Sequence, residues 1–233
     1  MIKKNIQIVK REVEEICNSC GRNSNRITLI AVSKTNPISA IEEAFSAGIN
    51  NFGENKAQEF RDKSRIVEKD ISWHFVGHLQ TNKVKYVIDS AEYIHSVDSI
   101  KLATEINTRA LLINKIQKIL IEMNTSEESS KFGIHDFDNL YKLVEECSIF
   151  KNLEVKGLMT MAPYTADENI IRKSFSRLRD LKEKLNTQWN NITELSMGMT
   201  NDYKIALEEG STMLRIGTAI FEERDSSKSW REK

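Results

Sequence analysis

The apolar run Ile27-Thr28-Leu29-Ile30-Ala31-Val32 is followed at once by Ser33-Lys34-Thr35-Asn36-Pro37. A strand buried on both faces reads as such a continuous run, and an ammonium at its end must keep its water or find a partner. Lys34 is either a solvated surface group, as most lysines are, or an amine placed to react. An amine whose pKa is lowered by burial or a nearby cation condenses with a carbonyl to form a Schiff base. A second set of residues has the chemistry of an anion cradle. Ser196 and Gly198 lie in "LSMGMTNDY" (195–203), and Arg215, Gly217 and Thr218 in "GSTMLRIGTAIF" (210–221). Hydroxyls beside backbone N–H groups opened by glycine hold phosphate compactly.

Other reactive side chains read as structural. His74 and His78 form H-x-x-x-H, but on a strand end, where the two rings need not converge on a metal. Cys17 and Cys20 form C-x-x-C at the end of a helix without a thioredoxin-like strand before it, which reads as two reduced thiols. Cys147 falls in another helical pattern and reads as core. Met159 and Met161, like Met197 and Met199, alternate along strands and read as core filler, near enough to the rim for one or two cofactor contacts.

These groups need elements to position them. Apolar runs predict strands at 27–33, 50–54, 72–77, 93–97, 117–123, 154–160, 193–198 and 213–219. Helical periodicity falls at 3–20, where Ile6, Val9, Val13 and Ile16 share a face. It recurs at Ile38–Ala47, Ala57–Glu68, Thr81–Ile88, Ile100–Ile113, Asp136–Cys147, Glu168–Leu185 and Tyr203–Glu209. Strands separated by helices predict a parallel sheet. An open doubly wound sheet would favour G-x-G-x-x-G after the first strand, and "SKTNPIS" has none. The expected fold is therefore a single α/β domain over 1–233: a (β/α)8 barrel with an extra N-terminal helix (1–24) covering one end and a polar tail, 222–233.

In a closed barrel the first strand lies beside the eighth and the eighth beside the seventh. Lys34 then shares the carboxyl-end rim, where such barrels carry function, with Ser196, Gly198, Arg215, Gly217 and Thr218. An amine facing a phosphate cradle suits a phosphorylated aldehyde, for which pyridoxal 5′-phosphate is the foremost choice.

Here a resemblance becomes specific. "AVSKTNP" (31–37), "FGENKAQE" (52–59), "WHFVGHLQTNK" (73–83), "GLMTMAP" (157–163), "LSMGMTNDY" and "GSTMLRIGTAIF" resemble, in order, the motifs of the YggS/PROSC family of pyridoxal-phosphate-binding proteins. The resemblance implies a fold type III barrel like the N-terminal domain of alanine racemases and a role in vitamin B6 homeostasis without established catalysis. It implies the Schiff base on Lys34, a phosphate site at Ser196, Gly217 and Thr218 with backbone near Met199, and Arg215 facing the pyridine nitrogen. Asn55 matches a rim position of the family. Two departures are visible. Phe221 is followed by Glu222 where the family continues "AIFG", and "NTSEESSKFG" (124–133) lacks the glycine of "NTSGEESKFG", which leaves the role of Lys131 open.

Two functions follow from these residues. One is a carrier or buffer that holds pyridoxal 5′-phosphate on Lys34 for apo-enzymes. The other is a pyridoxal-dependent amino-acid racemase or related enzyme of weak activity. Racemases of this resemblance use a second, β-rich domain, and only about a dozen residues follow the eighth strand, so the carrier, a monomer, is expected. A sugar-phosphate aldolase using Lys34 would need a proton shuttle, for which Glu54 is the candidate. Composition excludes other classes. Lys plus Arg and Asp plus Glu are equal at 34 each, against a phosphate-backbone binder. No stretch approaches the roughly 20 apolar residues of a membrane helix, and the charged N-terminus has no signal region. Three cysteines fit a reducing compartment, the cytoplasm.

Overall fold

The computed structural model describes residues 1–67, 69–126, 132–222 and 230–232; Lys131 and most of the 222–233 tail lie outside them. Eight parallel strands close into a barrel in sequence order. They are β1 (Thr28–Val32), β2 (Asn51–Glu54), β3 (Ser72–Phe75), β4 (Ala91–Val97), β5 (Gln117–Glu122), β6 (Leu153–Met159), β7 (Glu194–Ser196) and β8 (Met213–Ile216). The seam closes where Ile30 pairs with Arg215 between β1 and β8, and Ser196 with Met213 between β7 and β8.

The helices are α1 (Ile2–Ser19), α2 (Ile38–Ser46), α3 (Ala57–Ile66), α4 (Ile100–Leu112), α5 (Phe137–Ser148), α6 (Glu168–Asn186), α7 (Tyr203–Glu208) and α8 (Thr218–Phe221). Between β3 and β4 the expected α-helix is a 3-10 stretch, Thr81–Tyr86. Helix α1 does not cap an end of the barrel. It packs along the outer wall against α2, α7 and α8, with Asn5 donating to Ile220 O and Lys10 to Gly48 O. The reason is geometric: α8 is one turn long and leaves room beside α2 and α7 in the outer layer. The buried stripe Ile6, Val9, Val13 and Cys17 fills that gap, at roughly 1.5–3 kcal/mol per large side chain before entropy. No helix among the described residues is long and apolar enough to cross a membrane.

Alternation along the strands divides the core in two. The larger part lies between sheet and helices. Inside the barrel, Ile30, Leu120, Met159 and Met213 form a separate apolar cluster with Tyr93 against it. The remaining interior positions include His74, His95, Ser196 and Arg215, all buried.

Candidate functional site

A cavity of about 520 Å³ opens at the carboxyl ends of the strands and is lined by Lys34, Asn55, Met199, Arg215, Gly217 and Thr218. Lys34 stands two residues past the end of β1 and is exposed, not buried. Its ammonium has no hydrogen-bond or ion-pair partner among the described residues.

The turn carrying Lys34 is held from below. Thr35 has φ +62°, a left-handed conformation that a β-branched residue adopts only when its surroundings impose it. Thr35 N donates to Glu59 Oε1 at 2.7 Å. The Lys34 carbonyl accepts from Thr35 Oγ1 at 2.6 Å and from Asn36 Nδ2 at 3.1 Å. Beneath lies Lys63, fully buried, whose Nζ donates to Ser33 O and to Glu54 Oε1, each at 2.7 Å, and pairs with Glu59 Oε1 at 2.7 Å. Glu54, the proposed aldolase shuttle, is thus locked under the turn and absent from the cavity wall. Burial pushes its carboxyl up to about 7, Lys63 opposing.

Two glycines shape the rim. A Cβ on Gly77 would lie 2.2 Å from Asn55 O, so only glycine lets the loop after β3 run against Asn55. Gly198 has φ +98°, and a Cβ there would meet Ala206 Cβ at 2.7 Å; it turns β7 into α7. Asp202 Oδ1 then accepts from Met199 N at 2.5 Å. Thr200 Oγ1 accepts from Ala219 N at 3.2 Å, tying the loop after β7 to the start of α8. The hydroxyl-bearing Thr200 and Thr218 both line the cavity.

Arg215 is buried, donating from Nη1 to Ser196 Oγ at 2.5 Å and from Nη2 to Thr160 O at 2.8 Å. Burial lowers its pKa to about 10, with Asp202 and Glu122 opposing, so it stays cationic at neutral pH. Ser196 is not brought to the cavity with the others. It is fully buried behind Arg215, and its hydroxyl also meets His95 Nδ1 at 2.9 Å.

His74 and His78 do not converge. His74 bonds His95 in the barrel interior, whereas His78 stacks on Phe132 at the mouth, centroids 3.9 Å apart. Met161 and Met199 reach the cavity while Met159 and Met197 are buried. Cys17 and Cys147 are buried and Cys20 is exposed, all with free thiols.

Three residues were missed in the sequence. Thr200 lies two positions after Gly198 in a motif already singled out. Glu122 lines the cavity at 4% exposure with Oε2 unpartnered, and burial, with Asp98 adding to it and Arg215 opposing, pushes its carboxyl up to about 7. A charge ending the run Gln117–Glu122 is the same signal that exposed Lys34. His95, in a strand that also carries Glu92 and Ser96, gave no signal beyond a core histidine.

The barrel with its rim is of the class found in the alanine racemase N-terminal domain, a family that matches residues 4–225. The alanine racemase of Clostridium difficile 630 shares the fold at TM-score 0.77 and 11% identity, covering 98% of this chain and 62% of the racemase. Much nearer are pyridoxal phosphate homeostasis proteins. That of Aquifex aeolicus is 41% identical over 218 residues, 93% of this chain and 95% of the relative. That of Vibrio cholerae is 38% identical over 233 residues, 98% of each. PipY of Synechococcus elongatus, solved with PLP bound, superposes at TM-score 0.83 with 30% identity over 95% of this chain and all of PipY. The chain belongs to the family of pyridoxal phosphate homeostasis proteins, within the wider alanine racemase N-terminal fold.

Proposed function

We propose that the protein binds pyridoxal 5′-phosphate as a Schiff base on Lys34 and serves as an intracellular carrier or buffer of the cofactor. The observation that carries this reading is convergence on one cavity: the unpartnered Lys34 amine, the Thr200 and Thr218 hydroxyls beside Gly217, and the Arg215 guanidinium. These match the aldehyde, the phosphate and the ring nitrogen in number and in kind. The relatives' names and the PLP-bound PipY support it. The cofactor would supply an aldehyde to which the Lys34 nitrogen could be joined with loss of one water, a reversible linkage suited to storage. Thr218, Thr200 and backbone near Met199 would hold the phosphate, Asn55 would flank the ring, and Ser196 would act behind Arg215. Guanidinium only donates, so the ring nitrogen is received unprotonated and is a weak electron sink. This favours holding the cofactor over carbanion chemistry. The carrier works as a monomer and releases its cargo to apo-enzymes.

The test is a visible absorption band in the reconstituted protein that disappears in Lys34→Ala; no band in the parent defeats the proposal. One observation favours a second reading, weak racemase-like turnover. Glu122 places a carboxyl titrating near neutrality in the same cavity as Lys34, and proton transfer on both faces of a substrate needs two acid/base groups. Following the chirality of single L-amino acids with the loaded protein and with Glu122→Gln decides it. Steady inversion at enzyme-like rates, lost in Glu122→Gln, would establish the enzyme.

A further inference from the structure

A chain of hydrogen bonds crosses the barrel interior from β8 to β2. Arg215 Nη1 donates to Ser196 Oγ at 2.5 Å. Ser196 Oγ and His95 Nδ1 are 2.9 Å apart, His95 Nε2 and His74 Nδ1 3.0 Å, and His74 Nε2 and Asn51 Oδ1 3.0 Å. Barrel interiors of this kind are ordinarily filled by branched apolar residues, and buried polar groups cost stability unless bonded. The Asn51 end sets the direction of the chain. An amide oxygen can only accept, so His74 donates from Nε2 to Asn51 Oδ1 and, with the ring neutral, presents a bare Nδ1 to His95 Nε2–H. His95, neutral in turn, has a bare Nδ1 that accepts the Ser196 O–H, while Ser196 Oγ accepts from Arg215 Nη1. A guanidinium only donates, which agrees with this direction. Burial keeps both rings neutral: it pushes His74 down to about 3 and His95 well below its usual range.

We propose that His95 is a positioning residue for Arg215: its bare Nδ1, acting through the Ser196 hydroxyl, fixes the guanidinium at the cavity floor as an obligate donor to the cofactor's ring nitrogen. The inference rests on the placement of that nitrogen in the proposed function. Two measurements test it separately. In the cofactor-free protein at neutral pH, ¹⁵N NMR of the histidines, assigned with His74→Gln and His95→Asn, reads the tautomers. Neutral Nε2–H rings at both positions are expected, and an Nδ1–H or cationic His95 would overturn the chain. In the loaded protein, His95→Phe removes the acceptor, shifts the visible band and weakens retention on the order of tenfold. His95→Asn, whose Oδ1 can stand where Nδ1 stood, restores the parent band and retention within about twofold. A purely structural role lowers the melting temperature of both variants and leaves both bands in place, which refutes the proposal. If His95→Phe fails to fold, His95→Leu, which lacks the acceptor as well, reads the same shift. Arg215→Lys keeps the two failures apart: a changed band there with an unchanged band in His95→Phe sinks only the positioning role. Unchanged bands in both sink the placement of the ring nitrogen as well.

Discussion

Replacing Lys63 with methionine takes the cation out of a closed site that holds two carboxylates. The ammonium lies 2.7 Å from Glu54 Oε1 and 2.7 Å from Glu59 Oε1, with side-chain exposures of 0%, 0% and 7% for Lys63, Glu54 and Glu59, and the Trp230 ring sits 5.5 Å away. Methionine fills most of the space, so the loss is electrostatic. Removing one partner of a buried pair costs about 3–5 kcal/mol. Protonation limits it, because the Glu54 carboxyl already sits at about 7 against an ordinary 4.5. Without its cation it rises further and takes a proton at neutral pH, which puts the expected loss near the lower end, about 3 kcal/mol. The sign with pH follows. A carboxyl whose folded pKa lies above its unfolded value binds its proton more tightly when folded, so its stabilising contribution is full below 4.5 and is lost as pH rises through the folded value. Lys63→Met therefore falls further behind the parent as pH rises from about 5 to 8. Urea unfolding followed by tryptophan fluorescence at both ends of that window measures it. A loss under about 1 kcal/mol, equal at both pH values, would refute the reasoning.

Thr218→Val leaves a phosphate oxygen short of a partner and weakens cofactor retention by roughly 1–3 kcal/mol; unchanged affinity by equilibrium dialysis removes Thr218 from the site. Arg215→Glu puts an acceptor where a donor stood, allows the ring nitrogen a proton, and shifts the visible spectrum of the bound cofactor; superimposable spectra count against that placement. Gly198→Ala forces φ +98° on a residue whose Cβ would meet Ala206 Cβ at 2.7 Å, for a loss of roughly 1–3 kcal/mol or more. Gly21→Ala, at φ +66° with nothing within 4 Å, is the control at about 1 kcal/mol. Equal melting temperatures for the two variants would contradict the steric argument.

The eight strands were legible because parallel strands covered by helices are apolar on both faces, and runs such as Ile27–Val32 stand out against charged helices. The 3-10 stretch Thr81–Tyr86 was not, since over two turns its spacing of apolar residues is close to that of an α-helix. The place of α1 was hidden for another reason: its buried stripe is plain in the sequence, but what it covers depends on α8 being one turn long. That Lys34, Gly217 and Thr218 meet at one cavity was legible because closure of the barrel sets strand one beside strand eight. Ser196 was grouped with them by its strand, yet its hydroxyl turns to Arg215 and His95 behind the cavity wall. Pairing of that kind depends on side-chain depth, which alternation along a strand does not encode. Glu54 shows the converse: a carboxylate at a strand end that faces Lys63 in the α3 layer instead of the cavity.

Carriage of the cofactor depends most on its attachment to Lys34. Borohydride reduction of the reconstituted protein, followed by proteolysis and mass spectrometry, is expected to find the reduced pyridoxyl group on the peptide containing Lys34. Label carried instead by Lys63, by surface lysines in mixture, or by no peptide would contradict it.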